Sequence, residues 1–223
     1  MAQGTVWTAG WNKFGQLGTG QESIFSPLWR QTVENAGAMS AGHLHSLVVK
    51  KDGSVWAAGR NAHGQLGDGS RIDRSTFVQS LTSKGQKINA VGVAAGGYHS
   101  LVLTRDHCVL ATGWNMYGQL GDRFLQLSDK PRKNRYGHAG ERVPIMGDRA
   151  AFQSVFYGAK GIAAGTRHSL VLAQDGSVWT TGYNQHGELG DGTTITKATF
   201  VQVVMIFAII RFTVVKIVFR REN

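Results

Sequence analysis

A loop signature recurs four times along this chain, and a period of that length restricts the fold to a repeat array. The signature is Gly15-Gln16-Leu17-Gly18, Gly64-Gln65-Leu66-Gly67 and Gly118-Gln119-Leu120-Gly121, with the variant Gly187-Glu188-Leu189-Gly190. An Asn stands three residues before each copy: Asn12, Asn61, Asn115 and Asn184. A side chain that returns once per repeat is expected to hold the repeat together, because a chemical site is needed only once.

The repeat has a second half. Ala41-Gly42-His43-Leu44-His45-Ser46-Leu47 returns as Ala95-Gly96-Gly97-Tyr98-His99-Ser100-Leu101 and as Ala164-Gly165-Thr166-Arg167-His168-Ser169-Leu170. Each copy leads through a polar turn (Asp52-Gly53, Asp106-His107 or Asp175-Gly176) into a second apolar run, at 54–59, 108–113 and 177–182. Asp-Gly between two such runs is a strong hairpin signal, since Gly accepts positive φ without steric cost. His107 replaces that Gly once, and His tolerates positive φ better than most side chains. Nothing in the repeats has a convincing helical period. The unit is therefore an antiparallel hairpin, an Asn-x-x-Gly-Gln-Leu-Gly loop and a variable segment, which predicts an all-β repeat fold.

Between the glycines that close each second run, Gly10, Gly59, Gly113 and Gly182, the spacings are 49, 54 and 69 residues. The first two suit one four-stranded propeller blade per repeat. The third is longer, and its excess, between Gly121 and about Ser154, reads as an elaborated surface loop. The units run about 4–53, 54–107, 108–176 and 177–203, with a basic insertion at about 122–153 and an atypical apolar and basic tail at 204–223.

Hydrophobic residues make up 42% of the 223, enough for a core. Cys108 is the only cysteine, so no intramolecular disulfide can form; there is no Asn-x-Ser/Thr acceptor, and Met1-Ala2-Gln3-Gly4, running straight into repeat sequence, gives no expectation of a signal peptide. These features favour an intracellular setting, cytoplasmic or nuclear. The net charge is +10, with seven Lys/Arg against four acidic residues in 122–149 and four against one in the last 20 residues. That balance favours acidic partners: nucleic acid, an anionic membrane surface or an acidic protein patch.

The two halves together resemble the regulator of chromosome condensation repeat family over residues 4–203. Its pattern is Gly-x-Val-Trp-x-x-Gly-x-Asn-x-x-Gly-Gln-Leu-Gly with a later Ala-Gly-x-x-His-Ser-Leu. The resemblance implies a β-propeller, usually of seven blades, that serves mostly as an interaction platform. The founding type is a guanine-nucleotide exchange factor for the small GTPase Ran and docks on nucleosomes; other members carry ubiquitin-ligase, kinase or photoreceptor functions. This chain departs from the pattern in three ways. It holds three complete repeats and part of a fourth. The strand at 5–10 has no preceding His-Ser-Leu partner. The signal stops after Val203, although the period places another Ala-Gly-x-x-His-Ser-Leu near residue 218. An open array exposes apolar faces. Three outcomes meet that: a fragment of a larger propeller, self-association through the open ends, or strands added by the tail.

No catalytic, cofactor or metal site is expected. His45, His99 and His168 lie in successive repeats, unlike the converging ligands of a zinc site, and each is expected to hydrogen-bond backbone in its own blade. Cys108 occupies the place of Ser54 and Ser177 and reads as a small residue there, with no located base to lower its pKa. The glycines of 66–69 and 189–192 lack the helix and the Lys-Ser/Thr of a phosphate loop. Trp7, Trp56 and Trp179 are strand positions expected in the core. Trp11 and Trp114, replaced by Arg60 and Tyr183 in the other copies, begin the loops and are candidate partner anchors, with core or rim packing the plainer reading. In the insertion, Lys130, Arg132, Lys133 and Arg135 beside Tyr136 suit a phosphate backbone or an acidic protein groove, with a solvated loop the plainer reading. In the Ran exchange factor a wedge-like insertion enters the GTPase; this insertion lacks a wedge sequence of the Asp-Asn-Asn-Gly type.

In the tail, eight apolar residues at 203–210 are followed by Arg211 and Lys216. That falls short of the roughly 20 apolar residues of a spanning helix, and a membrane role is not expected. The reading is thus an all-β, incomplete β-propeller of about three to four blades, a non-catalytic scaffold for a protein partner with an acidic surface. Regulation of a small GTPase is the alternative, because exchange by an inserted loop needs no catalytic acid or base. Chromatin or nucleic-acid binding is a third reading, resting on charge and family analogy.

Overall fold

The computed structural model describes residues 4–21, 23–122, 125–126 and 145–203. The basic run at 130–136 and the tail lie outside the described residues. Every regular element among the described residues is a strand.

Blade one is an antiparallel pair, β1 (Thr5–Trp11) and β2 (Phe25–Glu34). Blade two is a four-stranded antiparallel sheet of β3 (Ala36–Ala41), β4 (His45–Lys50), β5 (Val55–Gly59) and β6 (Arg74–Gln79), in that order. Blade three contains β7 (Ala90–Ala95), β8 (His99–Thr104) and β9 (Cys108–Gly113). A short hairpin of β10 (Leu125–Gln126) and β11 (Ile145–Met146) intervenes before its outer strand β12 (Arg149–Tyr157). Blade four is β13 (Ala159–Ala164), β14 (His168–Ala173), β15 (Val178–Gly182) and β16 (Lys197–Gln202). The four blades form an open arc of a β-propeller, as the repeat count predicts.

The hairpins expected at the Asp turns are β4–β5, β8–β9 and β14–β15. Asp52 Oδ1 accepts from the backbone N and Oγ of Ser54, and Asp175 does the same for Ser177. His107 takes a φ of 64°, the conformation that Gly supplies in the other two turns. The strand at 5–10 has no His-Ser-Leu neighbour but pairs with β2 from the variable segment.

The core lies between blades. Val49 and Val55 of blade two meet Val102, Leu110 and Phe152 of blade three. Leu103 and Val109 of blade three meet Ala159 and Val171 of blade four. Val6 and Val33 of blade one meet Val48 of blade two. Each such Val, Leu or Phe side chain contributes roughly 1.5–3 kcal/mol when fully buried, so a blade is stabilised chiefly by its neighbours.

The core placement of the strand tryptophans is corrected for Trp7 and Trp56, whereas Trp179 packs against the core cluster of Leu103, Val109, Ala159 and Val171. Trp7 is 50% exposed, and Trp56 and Trp179 are only partly buried. Successive strand residues face opposite sides of a sheet. Val6 and Val55 take the inner side, and that turns Trp7 and Trp56 outward. Trp56 carries the Lys50 ammonium over its ring at 4.1 Å, and Trp179 packs on Phe156 at 5.8 Å.

Candidate functional site: the loop face of the blade junctions

Each Gly-Gln-Leu-Gly loop is built by the Asn before it. Asn61 is fully buried; its Oδ1 accepts from Leu66 N, while its Nδ2 donates to Asp68 Oδ1 and to the carbonyls of Ser70 and Ile72. Asn184 repeats this with Leu189, Asp191, Thr193 and Ile195. The loop Gln then fixes the residue two after the Asn: Gln16, Gln65 and Gln119 Oε1 accept from the backbone N of Phe14, His63 and Tyr117.

The loops are stitched to the following blade. Ser46, Ser100 and Ser169 donate from Oγ to the carbonyls of Gln16, Gln65 and Gln119, at 2.7, 2.6 and 2.6 Å. Each serine has one proton, which is thereby used. His45 Nε2 lies 2.9 Å from Ser100 Oγ, and His99 Nε2 lies 2.9 Å from Ser169 Oγ. The histidine is therefore the donor, with its proton on Nε2. Both rings are buried, and burial lowers their pKa, to about 4 for His45 and about 3 for His99. The expectation that each His bonds backbone in its own blade is corrected: His45 and His99 bond the serine of the next blade.

Where a strand ends and its loop begins, three residues come together at each junction. One precedes the repeat His, one follows the strand-closing Gly, and one is the Gln-fixed residue of the previous loop. The first two are held by one backbone bond: Arg60 N to Leu44 O, Trp114 N to Tyr98 O and Tyr183 N to Arg167 O, at 2.9, 2.9 and 3.0 Å. The glycine makes this approach feasible. Gly59, Gly113 and Gly182 have φ of 114°, 102° and 114°, and a Cβ there would stand 2.5–2.6 Å from those same carbonyl oxygens.

The first trio is Leu44, Arg60 and Phe14, with the Arg60 guanidinium 4.8 Å from the Phe14 ring centre. The second is Tyr98, Trp114 and His63, three rings with centres 5.7–5.8 Å apart. His63 Nδ1 also pairs with Asp148 Oδ2 at 2.8 Å, and Asp148 Oδ1 accepts from Asn115 N. The third is Arg167, Tyr183 and Tyr117; the two rings are 5.0 Å apart, and Arg167 lies 5.5 and 5.6 Å from them. Trp114 touches Tyr117 at 5.3 Å, joining the second and third trios. Trp11, 47% exposed, packs edge-on against Phe14 at 5.7 Å. The result is one face of alternating rings and cations, repeated at equivalent places in successive junctions.

Of the predicted residues, Trp11 and Trp114 lie on this face. Lys130, Arg132, Lys133, Arg135 and Tyr136 lie outside the described residues. Sequence reasoning missed Phe14, His63, Tyr98, Tyr117 and Arg167, and it noted Arg60 and Tyr183 only as replacements. Their signal is positional: large side chains stand at the variable positions beside the invariant Gly, Asn and His. Cys108 is buried with Sγ 2.8 Å from Ser154 Oγ, and burial raises its pKa. No group of three His, Cys, Asp or Glu side chains among the described residues is placed to hold a metal. No helix among them is long and apolar enough to cross a membrane.

A family profile described as the regulator of chromosome condensation (RCC1) repeat matches residues 52–103, and a second profile of the same description matches 38–65, 90–119 and 159–188. The ultraviolet-B receptor UVR8 of Arabidopsis thaliana is 32% identical over 204 residues, which is 90% of this chain and 42% of UVR8. The probable E3 ubiquitin-protein ligase HERC6 of Homo sapiens is 34% identical over 203 residues, 87% of this chain and 18% of that protein. Among solved structures, Prp20p of Saccharomyces cerevisiae superposes with a TM-score of 0.67 at 21% identity, over 90% of this chain and 46% of Prp20p. This chain thus spans less than half the length of each of these three proteins. The repeat profiles, the four loop signatures and the propeller blades they build agree: the chain belongs to the regulator of chromosome condensation (RCC1) repeat family.

Proposed function

We propose that the chain is a non-catalytic interaction scaffold that presents its loop face to a protein partner with an acidic surface. The observation that carries this reading is the trio repeated at three junctions. The scaffold groups around it, Asn, Gln, His, Ser and Gly, are the same in each junction, while the face changes from Arg60-Phe14, above the buried Leu44, to Tyr98-Trp114-His63 and to Arg167-Tyr183-Tyr117. Invariant support beneath varied large side chains is the pattern of a recognition surface, in which aromatic and arginine anchors dominate binding. The charge of +10 supports the acidic partner.

Prp20p was reported with its binding properties to Gsp1p and histones. At 21% identity that likeness carries the fold alone. Regulation of a small GTPase and association with chromatin therefore stand as outcomes to be tested, by nucleotide release from candidate GTPases and by binding to nucleosomes.

The test of the scaffold reading is affinity capture with the full chain and with a face variant, Tyr98→Ala with Trp114→Ala. Specific interactors lost by a variant that keeps its circular-dichroism spectrum support the reading. An identical set of interactors sinks it.

A further inference from the structure

Among the described residues, several cations are spent on ion pairs. Arg74 pairs with Asp68 at 2.9 Å, Arg149 with Asp122 at 3.0 Å and Lys197 with Asp191 at 3.5 Å, each joining the start of an outer strand to a loop Asp, and Arg71 pairs with Asp148 at 3.6 Å. Arg60 and Arg167 form no ion pair with any described residue. They are instead laid over rings: Arg60 on Phe14, and Arg167 on Tyr117 and Tyr183. A guanidinium on a ring keeps its edge N–H groups free and loses little further rotamer freedom on binding.

We propose that Arg60 and Arg167 are carboxylate-binding positions for an acidic polypeptide segment, lying across the loop face on either side of the Tyr98-Trp114-His63 cluster. This deepens the scaffold reading and rests on it. The choice of an acidic polypeptide over single-stranded nucleic acid follows from the rings. Base recognition on such a surface needs open ring faces. Here the Phe14, Tyr117 and Tyr183 faces are taken by guanidinium groups, with Lys13 also 5.9 Å from Phe14. The remaining contacts are edge-to-face: 83° between Trp114 and Tyr117, 73° between Tyr117 and Tyr183, and 82° between Tyr98 and Trp114. What such a face offers outward is the planar N–H fork of arginine, which matches a carboxylate in bidentate geometry. Three acidic side chains beside it are already engaged: Asp148 holds His63 and Asn115 N, Asp73 holds Asn61 N, and Glu188 holds His186 N.

The experiment measures anisotropy of a fluorescein-labelled peptide of alternating Glu and Gly, titrated with the full chain. A Gln-for-Glu peptide and an oligo-dT strand serve as comparison probes. Arg60→Gln combined with Arg167→Gln is expected to weaken Glu-peptide binding about ten-fold. Lys84→Gln with Arg105→Gln removes the same charge from exposed turn positions and is expected to change binding less than about two-fold. Replacing both arginines by Lys keeps the charge but loses the planar fork, and is expected to restore only part of the affinity. Four results overturn the proposal: equal loss in the Lys84/Arg105 variant, full affinity in the Arg→Lys variant, oligo-dT bound more tightly through the same arginines, or a dimer of this chain abolished by the Arg→Gln pair. If these arginines fail but the Tyr98/Trp114 variant still loses its interactors, the scaffold reading survives and the carboxylate positions do not.

Discussion

His99 Nε2 lies 2.9 Å from Oγ of Ser169, a residue of the next blade, and both side chains are fully buried. The same bond joins His45 to Ser100. Because each serine also donates to the Gln carbonyl of the preceding loop, one hydroxyl ties together a loop, the strand that follows it and the neighbouring sheet.

Ser169→Ala leaves the His99 donor and the Gln119 carbonyl without that partner, at a cost of about 1–3 kcal/mol. His99→Ala adds a cavity and is expected to cost about 3 kcal/mol or more. A double-mutant cycle read by urea denaturation should show strong coupling between the two. Independent, additive losses would contradict the bond's role. His168→Ala should cost less, since its ring is only partly buried.

The two buried imidazoles also set a pH dependence. Burial places the folded values of about 4 for His45 and about 3 for His99 below the ordinary 6.5. The unfolded chain therefore takes up these protons first. The stabilisation is complete above about pH 6.5 and declines as the pH falls toward the folded values, by about 1.4 kcal/mol per unit for each ring. Urea midpoints should be flat between about pH 7 and 8 and fall steeply below about pH 6, with the slope reduced in a His45→Gln, His99→Gln chain.

Two glycines of the same repeat position should respond differently to alanine. Gly113 has a φ of 102°, and a Cβ there would stand 2.6 Å from Tyr98 O. Gly10 has a φ of 111° with nothing within 4 Å of its Cβ position. Gly10→Ala should cost about 1 kcal/mol from backbone strain, while Gly113→Ala should cost more than about 2 kcal/mol as strain and clash add. Equal shifts in melting temperature would show that the close approach does not matter.

Asn61→Ala removes the acceptor for Leu66 N and strands three loop acceptors, so a loss of about 2–4 kcal/mol is expected. Among the described residues Asn12 makes two side-chain bonds, to Leu17 N and Gln21 O, and Asn12→Ala should cost less. Thermal melts of the two variants test the order.

Much of the framework is legible in the residues because it is local. The hairpins follow from adjacent apolar runs joined by Asp-Gly, and each loop from an Asn and a Leu five residues apart. The histidine bonds are not local: His45 and Ser100 are separated by 55 residues, His99 and Ser169 by 70. In the motif, His stands beside Ser46, Ser100 or Ser169, so the nearest serine in sequence is the wrong partner. The face trios escaped for the opposite reason. Phe14, His63 and Tyr117 share a position but not a chemistry, and a search for recurring identities passes over them. Strand membership alone does not place a tryptophan: Val6 and Val55 take the inner side, and alternation then turns Trp7 and Trp56 outward.

The boundary of a sequence unit falls between β4 and β5, and again between β8 and β9, in the middle of a sheet. Every complete blade is thus sewn from the end of one unit and the beginning of the next. The segment that can be duplicated or lost in register is therefore not the segment that folds. Removing one unit-length stretch at any Asp turn joins two half-blades into a whole one, shortening the arc while leaving no strand edge unpaired at the splice. Such an array can change its length from the inside, and each change would reshuffle which trio sits beside which.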